Sequence, residues 1–225
     1  MTGLARKTIL GFAQLVGALG VLLFVPAGTV DFWQGWGYLL VFVASAALIT
    51  SYLWRNDPKL LERRVRAGPG AEKERSQKRI QLLASLVFIG SLVLPSLDHR
   101  LSWSEAPVAV VILGNVLVAF GFLIIFIVFR ENTFSAATIE VAEDQKVVST
   151  GPYAIVRHPM YSAALVLLLG TPLALGSWWG LLMLIPMTFV IVWRLLDEEK
   201  FLSKNLPGYP DYMRKVRYRL LPLLW

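Results

Sequence analysis

An all-α, polytopic membrane fold with five to six transmembrane helices is what this sequence predicts, and three observations carry it. The chain of 225 residues is 56% hydrophobic and only 16% charged, with a mean hydropathy of +0.60, too apolar for an ordinary soluble domain. Its charges leave six apolar stretches, most of them long enough to cross a hydrocarbon core of ~30 Å at ~1.5 Å per residue. Of its 22 lysines and arginines, all except Arg100 fall in segments that six crossings would place on one side. That is the asymmetry of the positive-inside rule, and it puts both termini in the cytosol.

The elements follow in order. Thr8 to Pro26 comes after Arg6 and Lys7 and before Ala27-Gly28. Its apolar run exceeds the ~7–15 residues of a signal-peptide core, so it reads as a retained helix and not a cleaved leader. Phe32 to Trp54 is the second stretch. The loop after it, RNDPKLLERRVRAGPGAEKERSQKR, mixes many charges with Pro58 and a Gly68-Pro69-Gly70 turn. It reads as a solvated loop that anchors topology, with headgroup or substrate docking as the alternative. Ile80 to Leu97 and Ala106 to Phe129 are the third and fourth stretches.

A polar segment then runs from Glu131 to His158, with β-branched Thr138, Ile139, Val141, Val147 and Val148 but no helical period. Loops of that length are functional or disordered. Met160 to Leu175 is short and contains Pro172, so it tilts, bends or half-inserts. Only Gly176-Ser177 separate it from Trp178 to Leu196, which predicts a C-terminal helical hairpin. In the tail, Pro207-Gly208 marks a turn and Asp211 an N-cap for a short amphipathic helix with Tyr212, Val216 and Leu220. That helix lies on the membrane or folds over a pocket as a lid.

Two halves emerge: residues 1–130 as a transmembrane scaffold of four helices on the substrate side, and 131–225 as the half that carries chemistry. The sequence has no cysteine, which removes disulfides, thiolate ligands and a cysteine nucleophile. Its two histidines, His99 and His158, fall in different loops, so no multi-histidine metal site is expected. There is no Gly-rich phosphate loop, zincin motif or nucleophile elbow. The net charge of +7 flanks membrane segments and forms no aromatic-interleaved patch, so anionic lipid headgroups are the expected partner and nucleic acid is not.

Chemistry-bearing residues cluster in the second half. Pro159 suits the first turn of a helix, which sets His158 beside exposed N–H groups and the positive end of the helix dipole. With Arg157 next to it, the pair either holds an anion or only anchors the helix at the interface. Tyr153, after the Gly151-Pro152 turn, and Tyr161 flank it. In WRLLDEEK, Arg194 and Glu198 share a helical face four residues apart. They form either an ordinary salt bridge or part of a site, because charges in an apolar run face protein or water.

The motifs NTFS (132–135), QKVVSTGPYAIVRHPMY (145–161) and RLLDEEKFL (194–202), with Gly208 and Tyr212 beyond, resemble the isoprenylcysteine carboxyl methyltransferase family. Phospholipid methyltransferases share these motifs in part. The resemblance covers residues 131–225 and implies an S-adenosyl-L-methionine-dependent membrane enzyme that releases S-adenosyl-L-homocysteine. It implies that Gln145, Lys146, Val147 and Val148 run along the cofactor, that Tyr153, His158, Pro159, Met160 and Tyr161 wrap it, and that Glu198 holds it. Arg194 would face and orient the methyl acceptor, giving Arg194 and Glu198 the catalytic roles. The pocket would open to the cytosol while a lipophilic acceptor arrives from the bilayer.

A carboxylate acceptor of the isoprenylcysteine type needs no base. An amine, as in a phospholipid headgroup, or a thiol would use Glu198 or Glu199. A membrane scaffold or transporter is the non-enzymatic alternative, although transporters place polar groups near the midplane and here they gather at one face.

Overall fold

The structure is a computed structural model that describes residues 3–65, 68, 70–72, 74–139, 141 and 145–225. Pro69 of the expected Gly-Pro-Gly turn lies outside them. The polytopic all-helical expectation is borne out, with no strand among the described residues. Long helices run over Gly3–Ala27 (α1), Trp33–Asn56 (α2), Arg75–Leu101 (α4) and Val108–Glu131 (α5). A short α3 spans Pro58–Val65. After the polar segment come α6, Pro159–Ala174, then a 3-10 turn, Trp179–Met183, that runs into α7, Leu184–Asn205, and finally α8, Tyr209–Lys215.

Helices α1, α2, α4, α5 and the continuous helix from Trp179 through α7 are each long and apolar enough to cross a membrane. Their outer faces carry bare hydrocarbon: Leu40, Leu48 and Phe189 are 71%, 72% and 72% exposed, which a bilayer tolerates and water does not. Helix α6 has 16 residues, a rise of ~24 Å, short of a ~30 Å core.

Side-chain size decides how α6 sits. It packs most extensively on α5, antiparallel to it, and only lightly on α7. A Cβ added at Gly114 would meet the backbone nitrogen of Ala174 at 2.1 Å, and one at Gly170 would meet the Gly114 carbonyl oxygen at 2.7 Å. One at Gly121 would meet Leu167 Cβ at 2.9 Å. Three glycines therefore let the two backbones touch, the small-residue mode of helix association in membranes. Around this pair, Leu19 and Leu23 of α1, Tyr38 of α2, Leu92 of α4 and Val118 of α5 form the largest apolar core.

One end of the bundle is closed by a carboxylate. Asp98, 1% exposed, accepts from the Ser104 backbone N–H at 2.7 Å and hydroxyl at 2.6 Å, and from the Ser177 hydroxyl. It ties the end of α4 to the α6–α7 turn, where Gly176 has φ +75°.

Two expectations need correction. The loop after α2 is not wholly solvated: Asp57 Oδ1 accepts the Leu60 N–H at 2.9 Å, Pro58 opens α3, and Leu60 and Leu61 are buried. Asp-Pro followed by an apolar pair is a helix start, outweighed in the reading by the surrounding charges. In the tail, the N-cap of α8 is Gly208, with φ +83°, and Asp211 sits inside the first turn.

Candidate functional site

At the end of the bundle opposite Asp98, the C-terminal ends of α5 and α7 meet the N-terminal ends of α4 and α6. The segment after α5, α3 and the tail close over them around a cavity of about 410 Å³. Every residue assigned above to the cofactor or the acceptor lines it, whereas Glu199, the alternative base, does not. Gln145, Lys146, Val147 and Val148 form one wall, Tyr153, His158, Pro159, Met160 and Tyr161 a second, and Arg194 and Glu198 project from α7.

Their bonding differs from the simplest sequence reading. Pro159 opens α6 and His158 is its N-cap, as expected. However, His158 Nε2 is turned to Glu199 Oε1 at 3.2 Å, and Arg157 Nε donates to that oxygen at 2.8 Å. Arg219 Nε donates to the other Glu199 oxygen at 3.1 Å. The Arg157 and His158 backbone N–H groups donate to the Tyr218 and Arg219 carbonyls, both at 2.9 Å. Arg157, His158 and Glu199 are all buried. The Arg-His pair thus fastens the C-terminal tail across the site as well as lining it.

Arg194 and Glu198 share a face without a direct ion pair between them. The Tyr161 hydroxyl joins them instead, accepting from Arg194 Nε at 3.1 Å and donating to Glu198 Oε2 at 2.6 Å. The remaining Arg194 donors go to Glu72 Oε1 at 2.7 Å, Gln77 Oε1 at 3.1 Å and the Ala137 carbonyl at 3.1 Å. Glu72, 3% exposed, also accepts the Ile139 N–H through its other oxygen. A guanidinium buried in an apolar run needs such a partner, and it comes from the charged loop of the first half.

The lid wall is aromatic. Tyr153 OH accepts from Asn132 Nδ2 at 3.0 Å, and the Tyr212 hydroxyl donates to the Tyr153 carbonyl at 2.8 Å. Burial raises the pKa of Tyr153, opposed by its bonds with Ser135 and Asn132. Burial likewise raises those of Tyr209 and Tyr212, so all three phenols are neutral donors at pH 7. Tyr209 lines the cavity, and its buried hydroxyl has no partner among the described residues.

Arg64 is a charged lining residue that, like Tyr209, the sequence reading passed over. Its Nη1 donates to the Ala136 carbonyl at 3.1 Å, and its guanidinium lies 4.9 Å from the centre of the Phe129 ring. Burial pushes it down to about 10, which leaves it charged at pH 7. The signal available was Arg-Arg one turn after Leu60-Leu61 on a capped helix. Glu72 gave no local signal, since its partner lies on α7.

Among curated proteins nothing matches the chain. Residues 109–207 match the family model described as phospholipid methyltransferase. The matched stretch runs from α5 through α7 and into the turn before α8, carrying the polar segment, the His158-Pro159 start of α6 and the Arg194–Glu198 face. The resemblance to the membrane methyltransferases, read from short motifs, is borne out over this stretch.

Proposed function

We propose that the protein transfers a methyl group from S-adenosyl-L-methionine to a lipophilic acceptor at the cytosolic face of a membrane. The observation that carries this reading is the composition of the cavity. Polar groups from the segment after α5 and from the tail share one chamber with Ile125, Met160 and Ala164 of the membrane helices. A volume of about 410 Å³ lies within the ~300–1,000 Å³ range of small-molecule sites. Among the described residues the Tyr209 hydroxyl has no partner, and in this reading it donates to the bound molecule, since a buried polar group without a partner is costly.

In this reading Gln145 to Val148, Tyr153, His158 to Tyr161 and Glu198 hold the cofactor. When bound, it supplies an activated methyl group on a sulfonium. The chain's own residues position and dry the site: the tail, held by Arg157, His158 and Arg219 through Glu199, excludes water. Tyr161 fixes the rotamers of Arg194 and Glu198 together.

The acceptor is of the isoprenylcysteine carboxylate type or a phospholipid amine, and one observation favours the amine. Arg194 already holds a carboxylate, so an acceptor carboxylate would have to displace Glu72. Glu198 accepts only from Tyr161 among the described residues and can take a proton from an attacking amine.

The test is calorimetric titration of detergent-solubilised protein with S-adenosyl-L-homocysteine, followed by transfer of a labelled methyl group to phosphatidylethanolamine and to S-farnesylcysteine. Binding is expected in the parent, and about tenfold weaker binding in Tyr209→Phe, the usual cost of a lost hydrogen bond at a buried site. No binding by the folded parent would sink the reading.

A further inference from the structure

Three cationic side chains in the cavity are already accounted for. Arg194 is paired with Glu72 and Arg157 with Glu199, and Lys146 is exposed to solvent. Arg64 differs from all three. It is half-buried, and no carboxylate is paired with it among the described residues. Among the described residues, one carbonyl and one aromatic face hold it in place, and no other acceptor takes its N–H fork. A buried cation in this condition calls for an anion.

Its surroundings indicate which molecule brings that anion. Helix α3 packs through Leu60 and Leu61 into a cluster with Phe129, Ile125 and Met160. Of these, Ile125 and Met160 also line the cavity. A second cluster, in which Leu206, Tyr209 and Tyr212 of the tail pack with Val147 and Tyr153 of the segment after α5, lines another part of the cavity. Arg64 therefore stands, with its guanidinium against Phe129, beside the apolar residues of α5 and α6 where the chain of a lipid would lie.

We propose that Arg64 is the oxyanion-binding residue for the methyl acceptor, taking its carboxylate or phosphate while the apolar chain runs along Ile125 and Met160. The inference rests on the methyltransferase reading for its occupant but not for its test, which reads binding without turnover. Arg194 then acts as a positioning residue and leaves the acceptor's anion to Arg64. A phosphate on Arg64 would let the amine of the same headgroup approach Glu198. A carboxylate there would itself be the nucleophile.

The experiment measures binding of four probes to the detergent-solubilised full chain without cofactor: S-farnesylcysteine and its methyl ester, and short-chain phosphatidylethanolamine and the matching diacylglycerol. Each is titrated into the parent, Arg64→Gln and Arg64→Lys, with S-adenosyl-L-homocysteine as a separate arm. In the parent, at least one anionic probe is expected to bind more tightly than its neutral counterpart. Arg64→Gln should abolish that difference, about tenfold, with the neutral probes and S-adenosyl-L-homocysteine unchanged. Arg64→Lys should restore part of it, since charge remains while the fork is lost.

Which anionic probe responds identifies the headgroup as carboxylate or phosphate. Equal loss for neutral and anionic probes would make Arg64 structural. Loss confined to S-adenosyl-L-homocysteine would assign it to the cofactor, and no anion preference in the parent would remove the site. Each of these overturns the proposal. Anion binding that depends on Arg64 in a parent that ignores S-adenosyl-L-homocysteine would sink the methyltransferase reading alone.

Discussion

Arg194 shows how a single residue can be placed correctly by sequence while its partner stays invisible. A charged side chain near the end of an apolar run must face protein or water, and that argument locates it in the cavity. The argument does not say that Glu72, in a different half of the chain, neutralises it at 2.7 Å with both groups buried. Removing one member of such a pair leaves a buried charge and costs ~3–5 kcal/mol, whereas removing both costs far less. Glu72→Ala is therefore expected to lower the thermal midpoint in detergent more than the double variant Glu72→Ala/Arg194→Met. Additive losses in that cycle would show that the two side chains do not depend on each other.

At the level of elements, the helices were legible because each long one is a bilayer-length apolar run, and the polar segments were legible as what remains. Less legible was how elements are fastened. The pairing of α6 with α5 depends on Gly114 and Gly121 of one helix and Gly170 of the other all lying in the shared contact, a coincidence of two faces that periodicity along one helix does not display. The short loop to α7 suggested the nearer partner instead. Likewise, Arg157-His158 reads locally as an anion site, whereas its side chains are spent on Glu199 and its backbone on the tail. Helix α3 was hidden for a different reason, because its flanking charges outweighed the Asp57-Pro58 start.

The tail's fastening gives the prediction at this scale. Glu199 collects Arg157, His158 and Arg219, so Glu199→Ala strands two buried basic groups and one partly exposed one at once. A loss of ~3–5 kcal/mol is expected. It should fall first on the docking of residues 206–225, because among the described residues Glu199 alone pairs with Arg219 and also orients Arg157, whose Nη1 holds the Met213 and Val216 carbonyls, leaving Leu220, Ser162 and the tyrosine cluster as the remaining ties. Trypsin should then cut at Arg214 to Arg219 faster than in the parent while the membrane helices stay protected. Unchanged tail cleavage would mean that those remaining ties alone hold the lid.

Across the whole molecule, the two ends of the bundle have opposite characters. Asp98, Ser104 and Ser177 close one end with a small hydrogen-bonded knot, and beside it Arg100 is the only lysine or arginine among the described residues. The other end gathers the cavity, α3 and the tail. It also holds nearly all of the positive charge, which the positive-inside rule assigns to the cytosol. The proposed reaction, with a water-soluble methyl donor, would require the same sidedness, so the charge rule and the proposal call for one orientation. The absence of cysteine from the sequence makes this directly measurable, because any cysteine introduced is the only one present. Glu105 lies at the Asp98 end and Lys204 near the last turn of α7, and both are exposed. In intact cells a membrane-impermeant maleimide is expected to label Glu105→Cys, and Lys204→Cys only after permeabilisation. The reverse pattern would place the cavity on the outer face, where a cytosolic donor cannot reach it, and would overturn both the orientation and the proposed reaction.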